Sequence, residues 1–596
     1  MSKRHYDLLA ALVIFLGALF RLALITLGWP APYNDEGTMG LMARHIAYQG
    51  AHPLLYYGQD YLGSLEAYLG AFFFRLFGPS TLSLRLGLVL LSVLFLWCMY
   101  RLVSLLYNRA LAVFTLIVLA LGSSDVMLRQ LIASGVVANP LFWTALLLLL
   151  TSRIVLTARP ISDKLKEKTT LQDRIDAEHT SHMSWSRLAL YAAWGAVAGI
   201  TLWSHFLFIP FVLCAAVLLL WACRQELRLP ALSLLVLCFL IGLSPLLIYK
   251  ITVPVSPYEN SMFAGIVGGG YREPSYPPIK GLPTQSATIS PKPITPVPGL
   301  QVLGTLLVAV PTATNGTVFC PIVPANIWPL TNHSDPSTLF CTGVHGAWGL
   351  TLVVLGGIAT ITAVKRIRQL RPTSSDRDPS VMNYERRRWA ARLTLLAGGG
   401  LTLLAFVLYP QASAITPLIS ARYLVSLLIA LPAVLFPLWE AGRLLKPARQ
   451  RQFKVVSYLL HGLLLLAVLV GSATLFVRDV PQAQASSHRQ QILIDGLLQA
   501  HDTRIYADYE NCNRISFLSN EQIICAALDK GLHPGLDRYF PYRAIVAQAP
   551  RPAYVLQKNS TQAFLFEQKA ASLHIAYKKI EIAGYIVYEP EKHMTP

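Results

Sequence analysis

The sequence predicts a polytopic α-helical membrane protein of about 11 transmembrane helices, with extracytoplasmic juxtamembrane helices and a small C-terminal α/β domain. Three observations predict it. The 596-residue chain is 54% hydrophobic and only 14% charged, too apolar for a soluble globular protein. Apolar runs close to or above the roughly 18 residues that cross the hydrocarbon as a helix recur up to residue 477. Beyond it, helical and strand-like segments alternate between turn residues.

The expected spans are 8–28, 82–106, 110–123, 136–156, 188–204, 206–223, 229–249, 346–364, 390–409, 423–439 and 455–477. An odd number puts the two termini on opposite sides. The third has a short clean apolar part and must borrow from GSSDVML to cross; without it, the topology that follows inverts. The first follows SKRH, but its apolar stretch exceeds the h-region of about 7 to 15 residues of a secretory signal, so it is read as retained. Basic residues resist translocation and mark cytoplasmic segments. They cluster in 153–187, 365–392 and 443–454, which places the N-terminus in the cytoplasm and the C-terminal domain outside a plasma (inner) membrane. The net charge of +19 is then mostly a topology signal. KRIRQLR and YERRRW read as solvated or lipid-facing flanks, not as nucleic-acid sites.

Cysteine placement agrees with that orientation. Cys98, Cys214, Cys223 and Cys238 fall in spans, whereas Cys320 with Cys341 and Cys512 with Cys525 fall on the outer side, as candidate disulfides of an oxidising compartment. Four unpaired thiols are the alternative.

Residues 1–477 form the membrane part and 478–596 the soluble domain. The first outer loop, 29–81, holds two helical pieces, EGTMGLMARHIAYQG and YLGSLEAYLGAFFFRLFG. In the second, Leu62, Leu65, Leu69, Phe72, Phe73 and Leu76 recur at spacings of three and four, the pattern of a helix lying in the membrane interface. A long segment rich in Pro and Gly, 250–345, exceeds an ordinary connection and reads as a functional cover or a partly disordered stretch. The tail has a helical SSHRQQILIDGLLQAHD, then strand-like TRIYADY, EQIICAA, RAIVAQ, PAYVLQ and AGYIVYEP.

Acids narrow the chemistry. On the outer side of the membrane part stand Asp35, Glu36, Asp60, Glu66, Asp125, Glu259, Glu273 and Asp335, four of them in the first outer loop. A carboxylate at the membrane boundary is costly unless paired, which makes it a functional candidate. Basic partners are few: Arg21 inside the first span, Arg44, Arg75, Arg85, Arg129, Lys250 and Arg422. Arg21 costs about 2.5 to 3.5 kcal/mol at mid-membrane on insertion scales, so it should face a polar cavity or an acid. His205, in LWSHFLF, is a candidate donor to phosphate or sugar, or a satisfied polar turn.

An apolar span with an internal Arg, then NDEG, then YYGQDYLGSLEAYLGAFFFRLFGPSTLSLRL, many spans, and ARYL near their end resembles the GT-C superfamily of polyprenyl-phosphate-sugar-dependent glycosyltransferases. The protein O-mannosyltransferase and aminoarabinose lipid A transferase branch is nearest. The resemblance covers residues 1 to about 477 and rests most on Asp35-Glu36, the segment 57–86 with Tyr57, Gln59, Asp60 and Glu66, and Arg422-Tyr423. It implies a cavity on the outer face and an acid of the first loop as catalytic base, Asp35 first and Glu36 second. Many members place a further acid between spans three and four; here Asp125, near Arg129, is the candidate. The expected donor is a polyprenyl-phosphate-linked sugar and the acceptor a glycan, lipid or protein, among membrane lipids and without nucleic acid. In the expected inverting displacement, Arg422 and Lys250, with Tyr423, would neutralise the departing phosphate. No obligatory cofactor is expected, and two adjacent acids are a thin set for a divalent metal.

Blander readings stand beside this. Asp35 and Glu36 would also favour a helix N-terminus, Arg422 and Lys250 would anchor spans at headgroups, and the tyrosines 56, 57, 61 and 68 would form an interfacial belt. The functional rivals are a transporter or flippase of polyprenyl-linked glycans and a non-catalytic membrane scaffold.

Overall fold

The computed structural model describes residues 2–59, 61–158, 183–252, 298–318, 320, 336–370, 379–444 and 447–592. Most of the Pro/Gly-rich segment, and Asp60, lie outside the described residues. Eight described helices are long and apolar enough to cross a membrane, and ten if each of two bent pairs is one span. The chain is a multi-pass membrane protein. The predicted span 188–204 is the helix Trp185–Ser204, outside that set of ten.

The third span is broken. Helix α5 (Arg109–Ala120) ends where its apolar run ends, and the chain turns by 80° into α6 (Ser124–Leu131). The GSSD sequence supplies the turn, and Arg21 of α1 (Lys3–Thr26) supplies its lock. Its Nη1 donates to Ala120 O at 2.8 Å and its Nη2 to Leu119 O at 3.2 Å and Gln130 Oε1 at 2.7 Å. A cation at helix-terminal carbonyls is where the helix dipole favours it. Arg21 therefore holds a broken helix together, and among the described residues it pairs with no acid. A second bent pair, Pro417–Leu424 and Leu427–Glu440, turns by 76° just past Arg422.

The two helical pieces of the first outer loop are α2 (Asn34–Gln49) and α3 (Leu65–Phe77). On α3 the inward face is small: Ala67, Gly70 and Ala71 are buried beside Phe74, while Phe72, Leu76 and Phe77 stay exposed. The apolar stripe thus splits, with its large members turned outward as a lipid-facing surface allows. The next helices are α4 (Thr81–Leu106) and α7 (Ala138–Leu156).

The helix Pro447–Thr474 continues through a wider turn, Leu475–Asp479, into Val480–Gln499. One rod, Lys454–Gln499, joins membrane and tail, so the predicted boundary at 477 falls inside a continuous helix. The tail carries a five-stranded mixed sheet in the order β2-β1-β3-β5-β4, from β1 (Arg504–Asp508), β2 (Ile524–Leu528), β3 (Ala553–Gln557), β4 (Tyr577–Ile582) and β5 (Tyr585–Pro590). Strand β1 pairs parallel with β2 and β3, and β5 pairs antiparallel with β3 and β4. The expected strand RAIVAQ is instead part of the helix Pro541–Ala547, which begins on a proline and buries Tyr542, Arg543 and Val546. A short apolar run of that length fits either element, and here a proline near its start favours the helix.

Cys320 is joined to Cys341, and Cys512 to Cys525. The second bridge ties the helix Tyr509–Leu518 to β2. That helix packs on α2 because Gly37 and Gly40 leave room. A Cβ at Gly37 would meet the Arg514 backbone at 2.7 Å, and one at Gly40 the Phe517 ring at 2.5 Å. Asn513 N donates to Asn34 Oδ1 at 3.1 Å and Asn513 Nδ2 to Thr38 Oγ1 at 2.8 Å. Glu521, just beyond, accepts from Arg44 Nε and Tyr542 Oη, both at 2.6 Å, and lies 3.0 Å from His45 Nε2. Small residues on one helix thus seat the domain, and polar pairs set its register. Overpacking such a contact costs about 1 to 3 kcal/mol. Purified Gly40→Leu should melt at lower temperature and be cleaved by trypsin after Arg514, where the wild type resists; wild-type protection would show that the close approach is dispensable.

Candidate active site

Where α2 begins, its first turn carries Asp35 and Glu36. Successive helical residues point about 100° apart, so the two carboxylates diverge. Glu36 turns inward and is spent: Arg85 of α4 donates Nε to its Oε1 at 2.7 Å and Nη2 to its Oε2 at 2.6 Å, and Ala133 N donates to Oε1 at 3.3 Å. Both side chains are about 1% exposed. This bidentate pairing keeps Glu36, the second of the expected catalytic acids, out of the pocket lining.

Asp35 turns to a pocket. Its lining is Asp35, Tyr56, Gln59, Tyr61, Ser134, Val136, His205, Arg422 and Tyr423, around about 280 Å³ of space counted to its open side. Asp35 Oδ1 accepts from Tyr509 Oη at 2.8 Å. Arg422 Nη1 stands 3.7 Å from Oδ2, and Arg538 Nη2 3.7 Å from Oδ1. Tyr56 Oη donates to the Asp35 carbonyl at 2.8 Å and holds the helix start.

Arg422 Nε has no hydrogen-bond partner among the described residues, and its guanidinium carbon sits 5.3 Å from the Tyr423 ring centroid. The backbone ahead of it is held from the other side, since Arg129 Nη2 donates to Leu418 O at 2.8 Å. Arg129 therefore supports the loop that presents Arg422.

His205 links the helix Trp185–Ser204 to the next. Its Nδ1 accepts from Leu207 N at 2.9 Å, which leaves the proton of the neutral ring on Nε2. That atom is buried without a partner. Burial, helped by the Arg422 guanidinium, pushes the imidazole down to about 3, so it stays neutral at physiological pH. The pocket thus holds one uncharged N–H donor that no described residue satisfies.

The pocket wall at Ser134 and Val136 is held by acids of the first loop. Glu66 of α3 accepts from Gly135 N at 2.8 Å and from Asn139 N at 3.3 Å, and so braces the turn into α7. Asp125 accepts from Thr317 Oγ1 at 2.8 Å and does not line the pocket. The Tyr57 ring lies 4.8 Å from that of Tyr539 at a tilt of 31°, and its hydroxyl lies 3.0 Å from His45 Nδ1, in the seam with the C-terminal domain. Lys250 is exposed in the last turn of Leu229–Thr252 and is not part of the lining.

Of the residues singled out in the sequence, Asp35, Gln59, His205, Arg422 and Tyr423 meet in one pocket. Sequence reasoning missed Tyr509 and Arg538, both from the C-terminal domain. Arg538 Nε donates to Tyr509 Oη at 2.9 Å, and with the Gln59 amide turned to satisfy both groups, its oxygen accepts from Arg538 Nη1 and Nη2 at 3.0 Å. A signal for them existed: they follow β1 and β2, at the carboxyl ends of parallel strands, where open α/β sheets present functional groups. Among the described residues, no group of three or more His, Cys, Asp or Glu could hold a metal ion.

No family model and no curated protein matches the chain. Among solved structures it is similar to an archaeal oligosaccharyltransferase, AglB from Archaeoglobus fulgidus, in complex with an inhibitory peptide and a dolichol-phosphate, at 15% identity and TM-score 0.44, covering 97% of this chain and 74% of that one. It is also similar to ArnT from Cupriavidus metallidurans bound to undecaprenyl phosphate, at 12% identity and TM-score 0.42, covering 99% and 98%. The same Archaeoglobus enzyme in complex with Zn and sulfate matches at 14% identity and TM-score 0.46, covering 97% and 72%.

Burial raises the Glu66 carboxyl from 4.5 to about 7, against the two backbone N–H groups that lower it. The folded state then holds this proton more tightly than the unfolded chain, so its contribution to stability falls as pH rises from 4.5 to about 7 and is level above that. Thermal midpoints measured in detergent across that window should decline less for Glu66→Gln, which cannot ionise; parallel slopes for the two proteins would contradict the assignment.

Proposed function

We propose that the chain is an integral membrane glycosyltransferase of the GT-C type, which moves a sugar from a polyprenyl-phosphate donor to an acceptor hydroxyl on the outer face of the membrane, with inversion. The observation that carries this is the meeting, in one small pocket at the start of α2, of an Asp35 carboxylate, the Arg422 guanidinium and the unpartnered His205 N–H. The resemblance read from the sequence names the same residues, Asp35 and Arg422-Tyr423.

The chemistry follows from the groups. Asp35 takes the proton of the acceptor hydroxyl as general base, which requires hydrogen-bond reach of that hydroxyl. The hydroxyl oxygen bonds to the anomeric carbon as the bond from that carbon to the phosphate oxygen breaks, and the electron pair leaves with the lipid phosphate. Arg422, with a free Nε and a planar fork, and His205 Nε2 meet the charge that gathers on the phosphate. Because His205 is a neutral donor, it adds a hydrogen bond without a second desolvated charge. The faces of Tyr56, Tyr61 and Tyr423 suit the C–H faces of a sugar ring, and Gln59 and Ser134 suit its hydroxyls.

The outer-face location rests on the distribution of Lys and Arg, with cytoplasmic loops carrying the excess. Nucleotide sugars are made in the cytoplasm, so a transferase facing outward needs a donor delivered through the membrane. We assign the acceptor no closer class than a glycan, lipid or protein hydroxyl.

The test is transfer from a panel of radiolabelled polyprenyl-phosphate sugars by purified protein in detergent, with extracted membrane lipids and proteins as acceptors. Wild type should transfer label from one donor. Asp35→Asn should lose at least about 100-fold of that rate, as expected for removal of a general base, while still binding polyprenyl phosphate. Equal transfer by both proteins would refute Asp35 as the base, and no transfer by wild type from any donor would refute the enzyme.

A further inference from the structure

The Asp35 carboxylate is oriented by the C-terminal domain. Tyr509, the first residue of the helix Tyr509–Leu518, donates its hydroxyl hydrogen to Asp35 Oδ1 at 2.8 Å. The Tyr509 phenol oxygen in turn accepts from Arg538 Nε at 2.9 Å, so the phenol proton is directed at Asp35 and not at Arg538. Arg538 is itself held by Gly58 O at 3.3 Å and by the Gln59 amide, and lies 5.6 Å from the Tyr509 ring and 5.8 Å from the Tyr56 ring. Neither Tyr509 nor Arg538 lines the pocket. They act on it from behind, through Asp35.

We infer that Tyr509 is a positioning residue of the transfer reaction, and that the C-terminal domain is for this reason a working part of the active site. The inference rests on the reading of Asp35 as the general base. Asp35 has two oxygens and the donors divide them. Oδ1 is occupied by the phenol, with Arg538 beyond it, whereas Oδ2 faces Arg422 at 3.7 Å, outside hydrogen-bond distance. Oδ2 is thus the oxygen left to receive the acceptor proton beside the guanidinium that meets the leaving phosphate. A carboxylate on the first turn of a helix can rotate about its side-chain bonds, and a fixed second oxygen removes that freedom. Misplacement of a catalytic group by about 1 Å costs on the order of 100-fold in rate.

A merely structural role for Tyr509 is separable, because the domain is seated by other contacts. Gly37 and Gly40 admit the helix, Asn513 bonds to Asn34 and Thr38, and Glu521 clasps Arg44 and His45. Tyr509→Phe keeps the ring and removes only the hydroxyl. Glu521→Gln weakens the clasp without touching Asp35.

The experiment uses the purified full-length chain, the donor that wild type accepts from the radiolabelled panel, and its acceptor. Tyr509→Phe should lower kcat about 10- to 100-fold, with KM for donor and acceptor within about twofold, polyprenyl phosphate binding retained and a near wild-type melting temperature. Arg538→Lys, which keeps the charge and loses the Nε donor, should lower kcat in the same pattern. Glu521→Gln should melt earlier with kcat kept. A wild-type kcat for Tyr509→Phe beside an inactive Asp35→Asn would overturn this inference and leave the function standing. Loss of kcat in Tyr509→Phe and Glu521→Gln alike, in step with stability, would reduce Tyr509 to a docking contact and overturn it too. Full transfer by Asp35→Asn would overturn both.

Discussion

The buried pair of Glu36 and Arg85 is the constraint from which the site follows. Taking a carboxylate and a guanidinium out of water costs several kcal/mol for each ion, and only good geometry with further hydrogen bonds offsets it. Here two N–H···O bonds of 2.6 and 2.7 Å and the Ala133 amide supply that geometry. The pair nails the first turn of α2 to α4 and to the loop ahead of α7. With Glu36 fixed inward, helical geometry leaves Asp35 one direction, toward the pocket. The same bond to Ala133 sets one end of the wall in which Ser134 and Val136 stand, and Glu66 sets the other. Two acids thus build the chamber, and the third, Asp35, lines it.

A second constraint comes from the far end of the chain. The helix that leaves the membrane does not stop at the surface but runs on as one rod, Lys454–Gln499, into the sheet domain. A rigid rod delivers the domain to a place that a flexible linker could only sample. The domain then presents the carboxyl ends of β1 and β2 to α2, and with them Tyr509 and Arg538. Parts of the chain more than 470 residues apart meet at Asp35 within hydrogen-bond distance.

Much of this was legible in the sequence for physical reasons, and the rest was not for equally physical ones. Apolar length betrays helices that must satisfy their backbone in lipid, so the spans, α2 and α3 could be read with little error. An acid just outside a span is expensive wherever it sits, so Asp35, Glu36 and Glu66 all stood out. Which of them faces a pocket depends on a partner such as Arg85, far along the chain, and periodicity does not report that. Arg21 was expensive for the reason expected, yet apart from the Gln130 amide its partners are backbone carbonyls, which have no letter in a sequence. The segment RAIVAQ misled because six residues of mixed apolar character fit a strand or a helix. Tyr509 and Arg538 were lost because the tail reads as a separate soluble domain, and composition cannot show that two domains share one site.

The electrostatic design of the pocket argues for an anion that accepts hydrogen bonds. Asp35, Arg422 and Arg538 lie within 3.7 Å contacts of one another through the carboxylate, so the charges are partly balanced before any ligand arrives. What the chain leaves open is hydrogen-bonding capacity. Arg422 Nε and His205 Nε2 are both buried donors without acceptors among the described residues. An orphaned buried donor costs about 1 to 3 kcal/mol, and a ligand that supplied the missing acceptors would remove that cost. Phosphate oxygens are acceptors of that kind, because they accept from a guanidinium and an imidazole without needing a donor in return. A simple cation would be repelled by Arg422 and would leave both N–H groups unmet, and an apolar ligand would leave them buried and unsatisfied. An oxyanion is therefore the ligand class that matches the donors this pocket presents, with the Asp35 carboxylate 3.7 Å from the Arg422 guanidinium.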